Sequence, residues 1–256
     1  MSIDQPIVNA GLKYVNGLEM AWVSTTTFTV AAGAARNSTN VNDIVLNDSV
    51  TILSTRVGVN GVDLAAVAAS SMYAVFLIGD STKYKDTACI LTLAIDGGTG
   101  LIATTPNLPS GYDMYRRIGY VLSDSSSHFL KFWQYGHANS RDMHYDTPIA
   151  TPAITTSANT YANQSLVAGI PPIACETILK VTFTAETLTD IATFAPYGSS
   201  ASNGMVVWGT GVAGVQQFMV DVPCELNTVV PTIAFKTTAD TPEALAILVS
   251  GYVDSL

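Results

Sequence analysis

Apolar and polar positions alternate with a period of two along much of the chain, the spacing that sends successive side chains to opposite faces of a β-sheet. The pattern predicts strands over 19–23, 25–30, 44–46, 50–53, 72–78 and 88–95. β-Branched and aromatic residues fill these runs, and clusters of Asn, Asp, Gly and Ser separate them. Residues 64–69 (LAAVAA) have helical propensity, but they are few and lie between Asn60-Gly61 and the strand at 72–78, so a loop or extended segment is expected. Asp96-Gly97-Gly98-Thr99-Gly100 reads as a turn.

The segment Leu108 to Gly136 gathers what the rest of the chain has in short supply: adjacent arginines, aromatic rings and a histidine. Pro109-Ser110-Gly111 marks a turn, 115–122 a strand, 124–127 a serine-rich turn and 129–135 a second strand, which together read as a hairpin. Thr147-Pro148-Ile149-Ala150-Thr151-Pro152 then reads as a linker, because two prolines resist both helix and central strand. Further short strands follow at 165–168, 177–185, 191–194, 205–208, 216–222, 231–236 and 246–253. Closely spaced strands without a sustained helical period predict an all-β chain: two antiparallel β-sandwich (jelly-roll or Ig-like) domains in tandem, with little helix. The expected division is an N-terminal arm at 1–16, a first domain at 17–146, a linker at 147–152 and a second domain at 153–256.

Composition changes the picture in one respect. Nearly half the residues are hydrophobic (48%) and only 12% are charged, against a typical quarter. A surface so poor in charge does little to keep copies apart in solution, so extensive subunit contact is expected. The net charge of −9, with only Lys180 and Lys236 beyond residue 150, disfavours binding to a nucleic-acid backbone. No basic n-region precedes an apolar run at the start, and no stretch is long and apolar enough for an ordinary membrane helix. A chain made in the cytoplasm, with no membrane partner, is expected.

Candidate chemistry is sparse. Cys89, Cys175 and Cys224 form no CxxC pair and sit in or beside apolar runs, so buried free thiols are expected. The glycine-rich turn at 96–100 lacks the Lys-Ser/Thr of a phosphate loop. His128, His137 and His144, with Asp142 and Asp146 nearby, offer imidazole and carboxylate ligands at a spacing that matches no standard metal motif. Ser127 and His128 are adjacent, which in a strand sends them to opposite faces, and no GxSxG is present. No catalytic residue, metal site or cofactor is therefore assigned. The candidate structural and interface residues are Arg116, Arg117, Tyr112, Tyr115 and Trp133. In a strand the two arginines point to opposite faces, one towards a carboxylate for which Asp113 and Asp124 are the near candidates. Tyr120, Phe129, Phe132 and Tyr135 complete the aromatic packing.

These residues carry a resemblance. Asn16-Gly17-Leu18-Glu19-Met20 and the run Phe28 to Asn40 (FTVAAGAARNSTN) resemble the opening of virion structural proteins of tailed bacteriophages. So do Met72-Tyr73-Ala74-Val75, Gly79-Asp80-Ser81, and Leu108-Pro109-Ser110-Gly111-Tyr112 leading into Arg116-Arg117-Ile118-Gly119. The resemblance covers roughly residues 16–136 and brings no catalytic residue with it. It implies a non-enzymatic particle component, an oligomeric accessory protein at the capsid surface, neck or tail, whose partners are copies of itself and other virion proteins. The alternative is a receptor-binding short tail fibre or spike module recognising a host surface glycan, for which Trp133 and Trp208 near turns are the support. A depolymerase is the third reading, with no carboxylate pair to name.

Overall fold

The protein, described from a computed structural model, is all-β, with no helix among the described residues and several antiparallel sheets. The structure describes residues 14–94, 105–137, 140–151, 161–166, 169–171, 176–184, 191–198, 205–208, 215–227, 230–237 and 245–256. The expected turn at 96–100, Cys175 and most of the expected arm lie outside them, as do the side chains of His137 and Trp208.

The N-terminal strands are short: β1 (Val15–Gly17), β2 (Met20–Ser24), β3 (Thr27–Val30), β4 (Gly33–Arg36), β5 (Asp43–Leu46), β6 (Val50–Leu53) and β7 (Gly61–Val62). Longer strands follow: β8 (Met72–Gly79), β9 (Ala88–Leu93), β10 (Met114–Leu122), β11 (Phe132–His137) and β12 (Ser140–Ala150). The remainder are β13 (Ala162–Ser165), β14 (Glu176–Thr184), β15 (Ile191–Pro196), β16 (Met205–Trp208), β17 (Val215–Pro223), β18 (Glu225–Asn227), β19 (Val230–Thr237) and β20 (Leu245–Ser255). Residues 63–71 form bends and turns, as their brevity as a helix requires.

Three sheets serve the first half, in the orders β1-β4-β5, β2-β3-β6 and β10-β8-β9-β7. Strand β8 is buried at every position, which explains its unbroken apolar sequence: it lies inside its sheet, with both faces covered. The second half supplies one sheet with β13, β19, β15 and β16 in order, β18 pairing with β19. The remaining sheet, β11-β12-β20-β14-β17, joins the halves. Its inner face sends Phe132, Met143, Tyr145 and Tyr252 towards one end, and Leu179, Val181, Phe183, Ile247 and Val249 towards the other, all within a single hydrophobic core.

Two expectations are corrected here. The segment read as the linker at 147–152 is strand for its first four residues: Thr147–Ala150 continue β12, and Ile149 and Ala150 pair with Val249 and Leu248. Pro148 is tolerated because the β12–β20 register shifts between His144 and Ile149, leaving no ladder bond for its missing N–H to make. The expected hairpin of 115–122 with 129–135 is reduced to a single bridge, Ser123 to Phe129. Strand β10 pairs with β8, and β11 pairs with β12. Core packing pulls the chain away after the turn: Phe129 donates its N–H to Thr25 O, and the Phe129 and Phe132 rings meet Phe28 edge-on at 5.2 and 6.1 Å.

Candidate functional site

The best-defined polar constellation lies where β10 and the β1–β2 turn meet the joining sheet. Asp254 on β20 and Arg141 on β12 are each 1% exposed and are direct cross-strand partners. Arg117 on β10 reaches across to form an ion pair with Asp254 through Nη1, while its Nη2 donates to Ser255 O at 3.0 Å. Arg141 Nη1 donates to Leu18 O at 2.8 Å and to Gln134 Oε1 at 3.1 Å, and Nη2 donates to Gly17 O. Gln134 Oε1 also accepts the Met20 N–H at 2.7 Å. The Tyr252 hydroxyl donates to Tyr120 O at 3.3 Å beside them.

Backbone geometry explains why this turn needs anchoring. Gly17 and Leu18 have φ of 66° and 64°, and a non-glycine residue in that left-handed region carries strain of order 1 kcal/mol. A Cβ at position 17 would strike the Ala32 carbonyl, so glycine is required there. Arg141 takes both carbonyls of the turn while the Leu18 side chain is fully buried. The charges settle against one another. Burial pushes the Asp254 carboxyl above the ordinary carboxylate range, against the pull of Arg117 and Arg141. Burial alone would lower Arg117, but that same carboxylate holds it above its usual value. Burial lowers Arg141, opposed by Glu19 and Asp254. The joint clamps the β1–β2 turn and β10 to the joining sheet through Arg141 and Asp254.

The residues singled out from sequence are dispersed around this joint. Arg116 and Arg117 pair in regular register with Leu77 and Phe76, the register slipping only beyond them at Ile118, and both border an open cleft of about 490 Å³ with Tyr115, Ser38 and Ser255. The carboxylate for Arg117 is Asp254, neither Asp113 nor Asp124. Asp113 instead accepts the Ser81 N–H at 2.7 Å, and Asp124 closes its own turn by accepting Ser126 and His128 N–H at 2.7 and 2.9 Å. Tyr115 packs edge-on against Phe76 at 5.9 Å, and the Tyr112 hydroxyl donates to Asp86 O at 2.9 Å. Trp133 is 41% exposed on β11, with Lys131 Nζ 4.9 Å from its ring centre. His128 lies in the turn after β10 and His144 on β12; among the described residues no three His, Cys, Asp or Glu side chains come together to hold a metal. Cys89 and Cys224 are both buried, Cys89 as a free thiol.

Sequence reading missed Arg141 and Asp254. The signal was present: Arg141 alternates with the buried Met143 and Tyr145, and Asp254 with the buried Tyr252, so period two places both on the inner face.

Comparison of the chain with protein-family models, with curated proteins and with solved structures gives no match. Fold and site together define an all-β chain closed by a buried arginine–aspartate joint. No described helix is long and apolar enough to cross a membrane.

Proposed function

We propose that this chain is a non-enzymatic structural protein of a tailed-bacteriophage virion. It forms a β-rich oligomer with copies of itself and docks on other virion proteins at the capsid surface, neck or tail. In this reading the sheets of each half pack as one of two tandem β-sandwiches, the joining sheet belonging to the second and leaning on the first.

The observation that carries the proposal is apolar exposure within the segment that resembles phage proteins. Leu64 is 73% and Tyr84 90% exposed in loops, and Val23, Val41, Val45 and Val57 also stand out in solvent. In a chain with so few charges, assembly would bury such side chains and offset their cost in water. The buried joint supports the same role, because a clamp between distant parts of a chain suits a protein that must hold its shape under load.

Size-exclusion chromatography with light scattering tests the oligomer. The expected result is a defined multimer at micromolar concentration. A stable monomer that also fails to bind particles would count decisively against the proposal.

A further inference from the structure

The outward face of the joining sheet carries a second constellation, separate from the buried joint. Strand β11 is an edge strand, and its period of two sets Lys131, Trp133 and Tyr135 on one face. Across the ladder, Trp133 sits opposite His144 and Tyr135 opposite Asp142, so these four side chains share that face. The Tyr135 and His144 rings meet edge-on at 5.4 Å. Lys131 Nζ covers part of the platform, 4.9 Å from the Trp133 ring centre and 3.3 Å from Asp146 Oδ1. Trp133 and Tyr135 are nonetheless 41% and 57% exposed.

Beyond β12 the face becomes a shallow cleft of about 550 Å³, lined by Asp142, His144, Glu176, Met219 and Asp221 among others. Its floor is kept low at the central strand. Gly251 lies between His144 and Ile178 in the ladder, and a Cβ there would strike the Met143 carbonyl oxygen. None of Asp142, Glu176 or Asp221 belongs to an ion pair among the described residues. From β11 to β17 is four strand spacings, about 19 Å, a length suited to several linked rings.

We infer that this face is a binding site for an oligosaccharide of uncharged sugars, with Trp133 and Tyr135 as the stacking platform and Asp142, Glu176 and Asp221 as hydroxyl acceptors. A pyranose presents an apolar C–H face, which packs on an aromatic ring, and a rim of hydroxyl donors, which acceptor-only carboxylates take. An apolar surface with a few convergent polar groups in a shallow concavity is the ordinary form of a small-ligand site. Charge decides between occupants. In and beside the cleft, Asp142, Glu176 and Asp221 outweigh Lys180, which β14 places on the same face opposite Met219, while Lys131 is offset by Asp146. These carboxylates leave the face net acidic and repel sulfated, phosphorylated or carboxylated sugars. They also oppose a second copy of this chain seated face to face, which would set the same carboxylates against each other at a net charge of −9 per chain. The assignment stands on this sheet face alone and holds wherever on a particle the chain sits.

The test is a binding titration of the full chain with tetrasaccharides of glucose, galactose and N-acetylglucosamine, and with a hyaluronan fragment as the anionic counterpart. At least one neutral tetrasaccharide is expected to bind saturably. W133A and Y135A should each weaken binding at least tenfold, and E176Q severalfold, with circular dichroism unchanged; L64A, in a loop of the first half, should leave binding unaltered. Since all three test positions border solvent or an open cleft, W133L and Y135L, which remove the ring but keep an apolar side chain, serve as mild variants should an alanine disturb the strand. Absence of neutral-sugar binding up to millimolar concentration would overturn the assignment. So would preference for the anionic fragment or for a polylysine peptide, or binding indifferent to W133A, Y135A and E176Q.

Discussion

Arg117 and Asp254 are paired across 137 positions of sequence, one on β10 and the other two residues from the end of the chain. Both are largely withdrawn from water, with side chains 15% and 1% exposed. A buried pair is not strong evidence of net stability, because desolvation offsets attraction. Removing one partner is another matter: it strands the remaining charge.

R117A should therefore destabilise the fold by about 3 kcal/mol. In a double-mutant cycle with D254A, the two losses should fall short of additivity by roughly 1 kcal/mol or more. Urea unfolding of the four proteins measures both. Additive losses would mean that the pair does not act as a unit.

R141K is expected to behave almost as badly as R141A, with a loss of about 3 kcal/mol or more. A lysine ammonium lacks the planar fork that serves Gly17 O, Leu18 O and Gln134 Oε1 together. Beyond the fall in thermal midpoint, amide exchange at Met20 should quicken, since its N–H acceptor is held by the same guanidinium. Unchanged exchange at Met20 would separate the turn from Arg141.

G251A should give little or no folded protein, or a loss of several kcal/mol if it folds. The added methyl enters the Met143 carbonyl across the β12–β20 ladder, where both strands are backbone and neither can swing aside. Soluble expression and thermal melting check this. A melt within about 1 kcal/mol of the parent would show that the two strands lie further apart than described.

Acid sensitivity should trace in part to Asp80. Its carboxylate accepts Thr82 Oγ1 and N–H at 2.6 and 2.8 Å and the Tyr84 and Lys85 N–H groups at 3.0 and 3.1 Å. These bonds, that from the Thr82 hydroxyl first, hold it below its ordinary value of 3.8. A depressed carboxylate contributes stability that is present above the unfolded value and lost as pH falls through the folded one. The thermal midpoint should thus drop below about pH 4, and D80N should flatten that drop while lowering the midpoint at neutral pH. An unaltered acid limb in D80N would remove Asp80 from the account.

Cys89 should resist alkylation in the native protein and react only on unfolding. Its thiol is fully buried, and burial pushes its pKa far up, so little thiolate forms. Peptide mass spectrometry after iodoacetamide treatment distinguishes the cysteines. Rapid labelling of Cys89 in native buffer would contradict its burial.

Much of this fold was legible because β-strands announce themselves locally. Alternation marked β2, β3, β6, β14 and β17, and unbroken apolar runs marked β8 and the start of β9. The short strands β1, β4, β7 and β18 escaped because two to four residues carry too little pattern. Strand β12 escaped for a different reason: its inner series begins with an arginine and its later part contains Pro148, so local chemistry argued for a loop while tertiary pairing with β20 made a strand. The joint was hidden by distance. Nothing near Arg117 in sequence names Asp254, and the two nearer carboxylates were already engaged, Asp113 by Ser81 and Asp124 by its own turn. Trp133 was visible as a residue, but Glu176 and Asp221, which share its outward face three and four strands across the sheet, lie 43 or more positions away and emerge only from the register.

The central claim is that this chain is built into a particle. Electron microscopy of intact particles labelled with an antibody to the chain tests it most directly. The account predicts label at fixed positions repeated with the symmetry of the capsid, neck or tail. Unlabelled particles, with the chain left in the soluble fraction of the same lysate, would contradict it.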